Sequence, residues 1–214
     1  MDALEGKVAI ITGCTAASIG RACAMSMAMQ GAKVVVTGRT VAGGKETERL
    51  VKEAGGEALF AKQDVTLETD WERVVQKTLD TFGRIDFLIN NAGEAIVKAI
   101  ADLTHDDLLF LRHVDLDGPF LGMKHVWPHL VTAGGGVILN MSSIVGQKGM
   151  PQGTAYGAIK GGQLGLTRVG ALEGAPHNIR VVSVHPGFIW TEGVPDVLGP
   201  DAEKLRPGIA ARIP

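Results

Sequence analysis

The chain has 214 residues, 45% of them hydrophobic, and a formal net charge of -2. That length predicts one domain with a sizeable core, and the near-neutral balance removes any electrostatic case for nucleic acid or an anionic membrane as partner. The segment Met1 to Gly6 is acidic and opens no apolar run before a cleavage site, and no apolar stretch approaches the ~20 residues of a membrane span. A cytoplasmic protein is expected.

Short β-branched runs alternate with longer amphipathic segments, the pattern of a parallel sheet covered by helices on both faces. Strands are predicted at Val8 to Thr12, Val34 to Thr37, Ala58 to Ala61, Phe87 to Ile89, Gly136 to Met141 and Arg180 to Val184. Between them, helices are predicted over Arg21 to Gln30, Lys45 to Ala54, Leu67 to Thr81 and Ala155 to Leu172. The third carries Trp71, Val74, Val75 and Leu79 at helical spacing. A longer helical region, Thr104 to Val131, is expected to bend near Asp117-Gly118-Pro119. From Thr191 onward Pro195, Pro200, Pro207 and Pro214 alternate with Gly193, Gly199 and Gly208, which predicts a long irregular loop with one short helix near Asp201 to Leu205. The two cysteines, Cys14 and Cys23, read as apolar fillers rather than a disulfide or metal ligands.

Glycine is frequent, 29 residues against an average near ~7%, which suits tight turns and close backbone approaches. Thr12-Gly13-Cys14-Thr15-Ala16-Ala17-Ser18-Ile19-Gly20 follows the first strand and opens a helix, a place where backbone amides can receive a pyrophosphate. A packing turn would read the same way. The second strand ends in Gly38-Arg39-Thr40, where an acidic residue would bind a free ribose 2′-hydroxyl and an Arg instead suits a 2′-phosphate. A merely solvated Arg is the alternative. Tyr156, the only tyrosine, stands four residues before Lys160, so both project from one helix face. A phenol ordinarily titrates near ~10, and a neighbouring ammonium brings its phenolate toward the working range. Ser143, at the end of the fifth strand, can hydrogen-bond the same substrate oxygen.

These motifs, with Asp64-Val65 after strand three, Asn90-Asn91-Ala92-Gly93 after strand four, Ser142-Ser143, and Pro186-Gly187 through Thr191, give the chain a clear resemblance to the short-chain dehydrogenase/reductase family, in its single-domain branch. Within that family it is similar to 3-oxoacyl-acyl-carrier-protein reductases and secondary-alcohol dehydrogenases. The resemblance runs from about Lys7 to Thr191. It implies a doubly wound Rossmann fold of strand order 3-2-1-4-5-6, hydride transfer between a nicotinamide and a carbonyl carbon, and assembly into a homodimer or homotetramer. It implies that Gly13, Ser18, Ile19 and Gly20 meet the pyrophosphate, that Arg39 and Thr40 meet the ribose phosphate, and that Asp64 and Val65 flank the adenine. Asn91, Ala92 and Gly93 would line the cofactor cleft. Lys160 would hold the nicotinamide ribose beside Tyr156, Ile189 and Thr191 would hold the carboxamide, and Pro186 and Gly187 would also belong to the cofactor site. Val65 and Ile189 also read as simple packing residues, and Asn90 as a stabiliser of its strand end.

Three positions depart from the family pattern. The Gly-rich turn is one residue longer, with Ser18 in place of its middle glycine, where a side chain crowds the pyrophosphate or lends it a hydroxyl. Asp115 replaces the asparagine associated with a water-mediated relay to the lysine, so Asp115 joins Ser143, Tyr156 and Lys160 in the catalytic set, with altered activity expected. Family members also continue through one more helix and a last strand, so a chain truncated at Pro214 is the preferred reading. Residues 1–191 form the expected dinucleotide-binding and catalytic part, and 192–214 a lid-like segment of the same domain.

The expected cofactor is NADP(H), with NAD(H) as the alternative and no metal. The expected substrate is a small or medium ketone, secondary alcohol or 3-oxoacyl group, walled by Glu94, Met150, Gln152, Phe188, Trp190 and Val194, which sit beside the motifs. Two other classes compete. A dinucleotide-binding regulatory protein would bind cofactor without turnover, and a sugar-nucleotide epimerase or dehydratase would need a larger carboxyl-terminal domain.

Overall fold

The computed structural model describes residues 3–199 and 201–211. Six parallel strands form one sheet in the order β3-β2-β1-β4-β5-β6: β1 Val8–Ile11, β2 Lys33–Gly38, β3 Glu57–Lys62, β4 Phe87–Asn90, β5 Gly136–Met141 and β6 Ile179–Val184. The order reverses between β1 and β4, which opens a crevice at the carboxyl ends of the strands. Within β1 and β2 the side chains alternate between two cores, as the pleat requires. Ile10 and Val35 join Trp71, Val74, Met123, Val126 and Leu130 on one face, while Ala9, Ile11, Val34 and Val36 join Ala24, Ala28 and Val51 on the other.

The helices supplying those residues are α1 Ile19–Met29, α2 Val41–Glu53, α3 Glu68–Phe82 and α5 Gly118–Thr132. The expected long middle helix is divided. Helix α4, His105–Arg112, passes through a π-helical turn, His113–Asp117, into α5, and Pro119 is tolerated because it stands in the first turn of α5. The wide turn puts Asp115 inside the protein, fully buried. Helix α6, Val145–Lys148, is a single turn that the sequence pattern did not mark, and α7, Thr154–Gly174, follows it. A side chain at Gly146 would come within 2.7 Å of the Lys160 carbonyl carbon, so α6 lies directly against α7.

After Thr191 the short helix expected near Asp201 to Leu205 is present and longer, as α9 Ala202–Ala210, and part of the expected irregular loop before it is corrected to a second helix, α8 Val194–Leu198. Pro195 stands at the start of α8, where it lacks only an amide that needs no partner. Arg206 in α9 lies over the Trp190 ring at 4.8 Å, and Ala202 is buried, so this segment has packing partners that composition did not reveal. Pro200 and Pro214 lie outside the described residues. On β6, Ile179 and Val181 are buried, whereas Val182 and Val184 on the opposite face are exposed. Cys14 and Cys23 are free thiols, and burial pushes both upward in pKa. No helix among the described residues is long and apolar enough to cross a membrane.

Candidate active site

The turn after β1 is built around Thr12. Its Oγ1 accepts hydrogen bonds from the Asn91 and Ala92 amides at 3.0 and 2.9 Å, tying the end of β1 to the segment after β4. The Asn91 side chain donates to the carbonyls of Thr12 and Gly13, at 2.8 and 3.3 Å. Gly13 has φ +73°, and a Cβ there would lie 2.8 Å from Ala92 Cα; one on Gly20 would lie 2.5 Å from Asn91 Nδ2. Both positions therefore need glycine on grounds of space, and Gly13 also on grounds of conformation.

Ser18 needs none. It adopts an extended backbone, its Oγ donates to the Gly13 carbonyl at 3.2 Å, and it caps α1 by accepting from the Arg21 amide. The hydroxyl thus folds back into the turn and stabilises the helix start. Ile19 and Gly20 occupy the first turn of α1, which carries no acidic side chain to compete for an anion.

The turn faces a cleft of about 290 Å³ at the strand ends, which Gly13, Ser18, Asp64, Val65, Ala92, Gly93 and Thr191 help to line. Val65 is fixed from behind because its carbonyl accepts the Trp71 indole N–H at 2.9 Å. Asp64 turns its carboxylate onto its own loop, accepting from the Thr66 amide and hydroxyl. Arg39, at the tip of β2, also lines the cleft, and its Nη2 lies 2.7 Å from Glu94 Oε1. Glu94 thus lines this cleft opposite Arg39, and not only the substrate side where the sequence put it. Thr40 stands outside the lining, at the start of α2. The lining also includes Thr15, Gln63 and Val114, which the sequence reading passed over; Gln63 is held by the Thr37 hydroxyl at 2.6 Å.

Behind Gly93 is a buried ion pair. Lys160 Nζ lies 2.8 Å from Asp115 Oδ1, with the side chains 5% and 0% exposed, and donates to the Met141 carbonyl at 2.9 Å. Asp115 Oδ2 accepts from the Glu94 amide at 3.0 Å, and its own carbonyl accepts from the Gln163 side chain. Burial pushes the Asp115 carboxyl above the ordinary carboxylate range, against the opposing pull of the ammonium. Gln163 went unrecognised in the sequence, although it stands one helical turn after Lys160. Tyr156 lies on the same face of α7, with Lys160 Nζ 5.7 Å from its ring centroid. Ser143 is buried at the end of β5, and its Oγ accepts from the Val145 amide at 3.2 Å. The neighbouring Ser142 hydroxyl donates to the Lys160 carbonyl at 2.9 Å, locking strand end to helix.

The segment after β6 is anchored where the Pro186 carbonyl accepts the Ile144 amide at 3.1 Å. Gly187 and Ile189 are exposed there. Glu192 fastens it to the glycine-rich turn, accepting the Ala17 amide at 2.8 Å. Phe188 and Trp190 lie 6.0 Å apart, Val194 opens α8, and Met150 is exposed. Gln152, in a left-handed conformation at φ +62°, accepts the Lys98 amide through its carbonyl at 2.9 Å.

Residues 7–198 match the family model described as short chain dehydrogenase. An NADP-dependent (R)-specific alcohol dehydrogenase of Lentilactobacillus kefiri is 39% identical over 92% of this chain and 79% of its own. A solved structure from Burkholderia xenovorans, described as a short-chain dehydrogenase/reductase, superposes with TM-score 0.91 at 34% identity, covering 99% of this chain and 83% of that one. A NAD+-bound xylitol dehydrogenase superposes with TM-score 0.84 at 35% identity, covering 86% and 71%. The strand order, the glycine-built crevice and the buried lysine are thus those of an oxidoreductase framework, and the chain belongs to the short-chain dehydrogenase/reductase family.

Proposed function

We propose that the protein interconverts a ketone, including a 3-oxoacyl group, and a secondary alcohol with NADP(H) as cofactor. The observation that carries this reading is the placement of Tyr156 and Lys160 on one face of α7, with Lys160 directly behind Gly93, which lines a cleft that Arg39 also lines. The residues present fit a dinucleotide. Gly13 and Gly93 present bare backbone to the cleft, and their place against the protein is too close for any side chain, since a Cβ would lie 2.8 Å from Ala92 Cα at Gly13 and 2.6 Å from Asp115 Oδ1 at Gly93. Gly13, Ile19 and Gly20 would receive the pyrophosphate, Asp64 and Val65 the adenine, Arg39 the ribose 2′-phosphate, Lys160 the second ribose, and Ile189 and Thr191 the carboxamide. When bound, the nicotinamide supplies the hydride for reduction or accepts it in oxidation.

The chain's own residues supply orientation and proton movement. Tyr156 gives its phenolic proton to the substrate oxygen during reduction and removes it during oxidation. Ser143 donates to the same oxygen and polarises it. Lys160 brings positive charge to the phenol, and Asp115 holds Lys160 in place while offsetting part of that charge. Exposed Phe188 beside half-buried Trp190, and exposed Met150, suit an uncharged or extended substrate. Exposed Phe120 on α5, with Val169 and Leu172 on α7, supports assembly of identical subunits, which the mass in solution tests.

The NAD(H) alternative has one observation in its favour: the Arg39 guanidinium is already paired with Glu94. The test is loss of reduced-nicotinamide absorbance with NADPH and with NADH across ketones and 3-oxoacyl thioesters, with Tyr156→Phe as control. Turnover that prefers NADPH and vanishes in the control supports the proposal. Turnover preferring NADH corrects the cofactor, and dinucleotide binding without turnover makes the chain a binding protein.

A further inference from the structure

We infer that Glu94 competes with the ribose 2′-phosphate for Arg39, and so sets how strongly the enzyme distinguishes NADP(H) from NAD(H). This rests on the dinucleotide reading of the cleft given above. Arg39 reaches from the tip of β2, and Glu94 from the segment after β4, so their 2.7 Å contact spans the two sides of the switch-point crevice. Both residues line that crevice. The ends of the strap differ in freedom. The Glu94 backbone is fixed because its amide donates to Asp115 Oδ2, inside the buried pair with Lys160. Arg39, with its side chain 61% exposed, is the partner able to move.

A dinucleotide without a 2′-phosphate leaves the strap intact, since it presents no anion to Arg39. A 2′-phosphate offers a stronger, geometrically matched acceptor but must draw the guanidinium away from a carboxylate. It then sits near that unpaired carboxylate, and the two anions repel. Glu94 therefore weakens NADP(H) selectively. The pair is solvent-exposed, so the effect is modest and falls with added salt.

The experiment measures direct binding of NADPH, NADH, adenosine 2′,5′-bisphosphate and 5′-AMP to the wild type, Glu94→Gln and Glu94→Gln/Arg39→Ala, by calorimetry and without substrate. Glu94→Gln retains size and hydrogen bonding, removes the charge, and leaves the backbone amide on Asp115. The expected result is about fivefold tighter binding of the two 2′-phosphorylated ligands, with NADH and 5′-AMP essentially unchanged. The gain disappears in the double variant and shrinks at high salt. Equal changes for both ligand classes, or no change in either, overturn the role of Glu94 while the dinucleotide reading stands. A wild type that binds none of the four ligands overturns that reading and this inference together.

Discussion

Lys160 is not free to act on Tyr156 as an isolated cation, because its ammonium lies 2.8 Å from the buried Asp115 carboxylate. Carboxylate, ammonium and the Met141 carbonyl form one buried cluster, connected through the Glu94 amide to the cleft at the strand ends. Asp115→Asn keeps a side-chain oxygen for the Glu94 amide and removes the negative charge. The ammonium then lies without its counter-charge beside Tyr156, the proposed base. Alcohol oxidation is expected to extend to lower pH in the variant than in the wild type. Superimposable pH–rate profiles for wild type and variant would remove the role given to this pair.

Tyr156→Phe deletes the phenolic hydroxyl proposed to pass a proton to the substrate oxygen. A fall in kcat of about 10²–10⁴-fold is expected, with dinucleotide binding retained. Ser143→Ala should lower kcat as well, but less, because it removes orientation and not the proton. Steady-state kinetics with calorimetric binding controls separate these effects.

Gly20→Ala tests the cradle. The added Cβ would stand 2.5 Å from Asn91 Nδ2 and 2.6 Å from the Gly13 carbonyl oxygen, so the Asn91 amide has to leave its bonds to Thr12 and Gly13. Crowding of this kind destabilises by about 1–3 kcal/mol. Dinucleotide affinity should fall at least as far as thermal stability, since the distortion is centred on the turn. A variant that binds normally would contradict the crowding expected there.

Asp86 supplies an acid-sensitive element of stability. Burial works to raise its carboxyl, but hydrogen bonds from Arg84, the Val8 amide and Lys7 outweigh it and hold the pKa below the ordinary value. A carboxyl lowered in the folded state stabilises above its unfolded pKa of ~3.9, and that contribution is lost as the pH falls through the folded value. Asp86→Asn is expected to lose about 1.5–3 kcal/mol at neutral pH and to show a flatter decline in acid. Denaturant unfolding across the acid range measures both.

Much of this architecture is legible along the chain. The β-branched runs predict all six strands: β1 and β2, covered on both faces, need apolar side chains at nearly every position, while β6 keeps Ile179 and Val181 for its one buried face. Tyr156 and Lys160 are legible as a pair because helical periodicity alone places them on one face. Lys160 could be read beside Tyr156, but not its pairing with Asp115, which depends on a π-helical turn carrying that residue into the interior. Ser18 lines the cleft where the pyrophosphate is expected, and that its hydroxyl also closes its own turn and caps α1 was set by local hydrogen-bond geometry that the sequence does not display.

The residues after Thr191 look irregular because proline and glycine dominate them, yet α8 and α9 form where Trp190 and Arg206 meet. The sequence by itself determined where the strands and the glycine-built turn fall and that Tyr156 and Lys160 share a helix face, since these follow from local periodicity and short motifs; the strand order came with the family resemblance that those motifs carry. Only the tertiary structure decided the partners of the charged groups: Asp115 for Lys160, and Glu94 for Arg39. Those pairings join residues far apart along the chain. Their energies depend on burial and on distances of a few ångströms, which exist only once the sheet has brought the strand ends together.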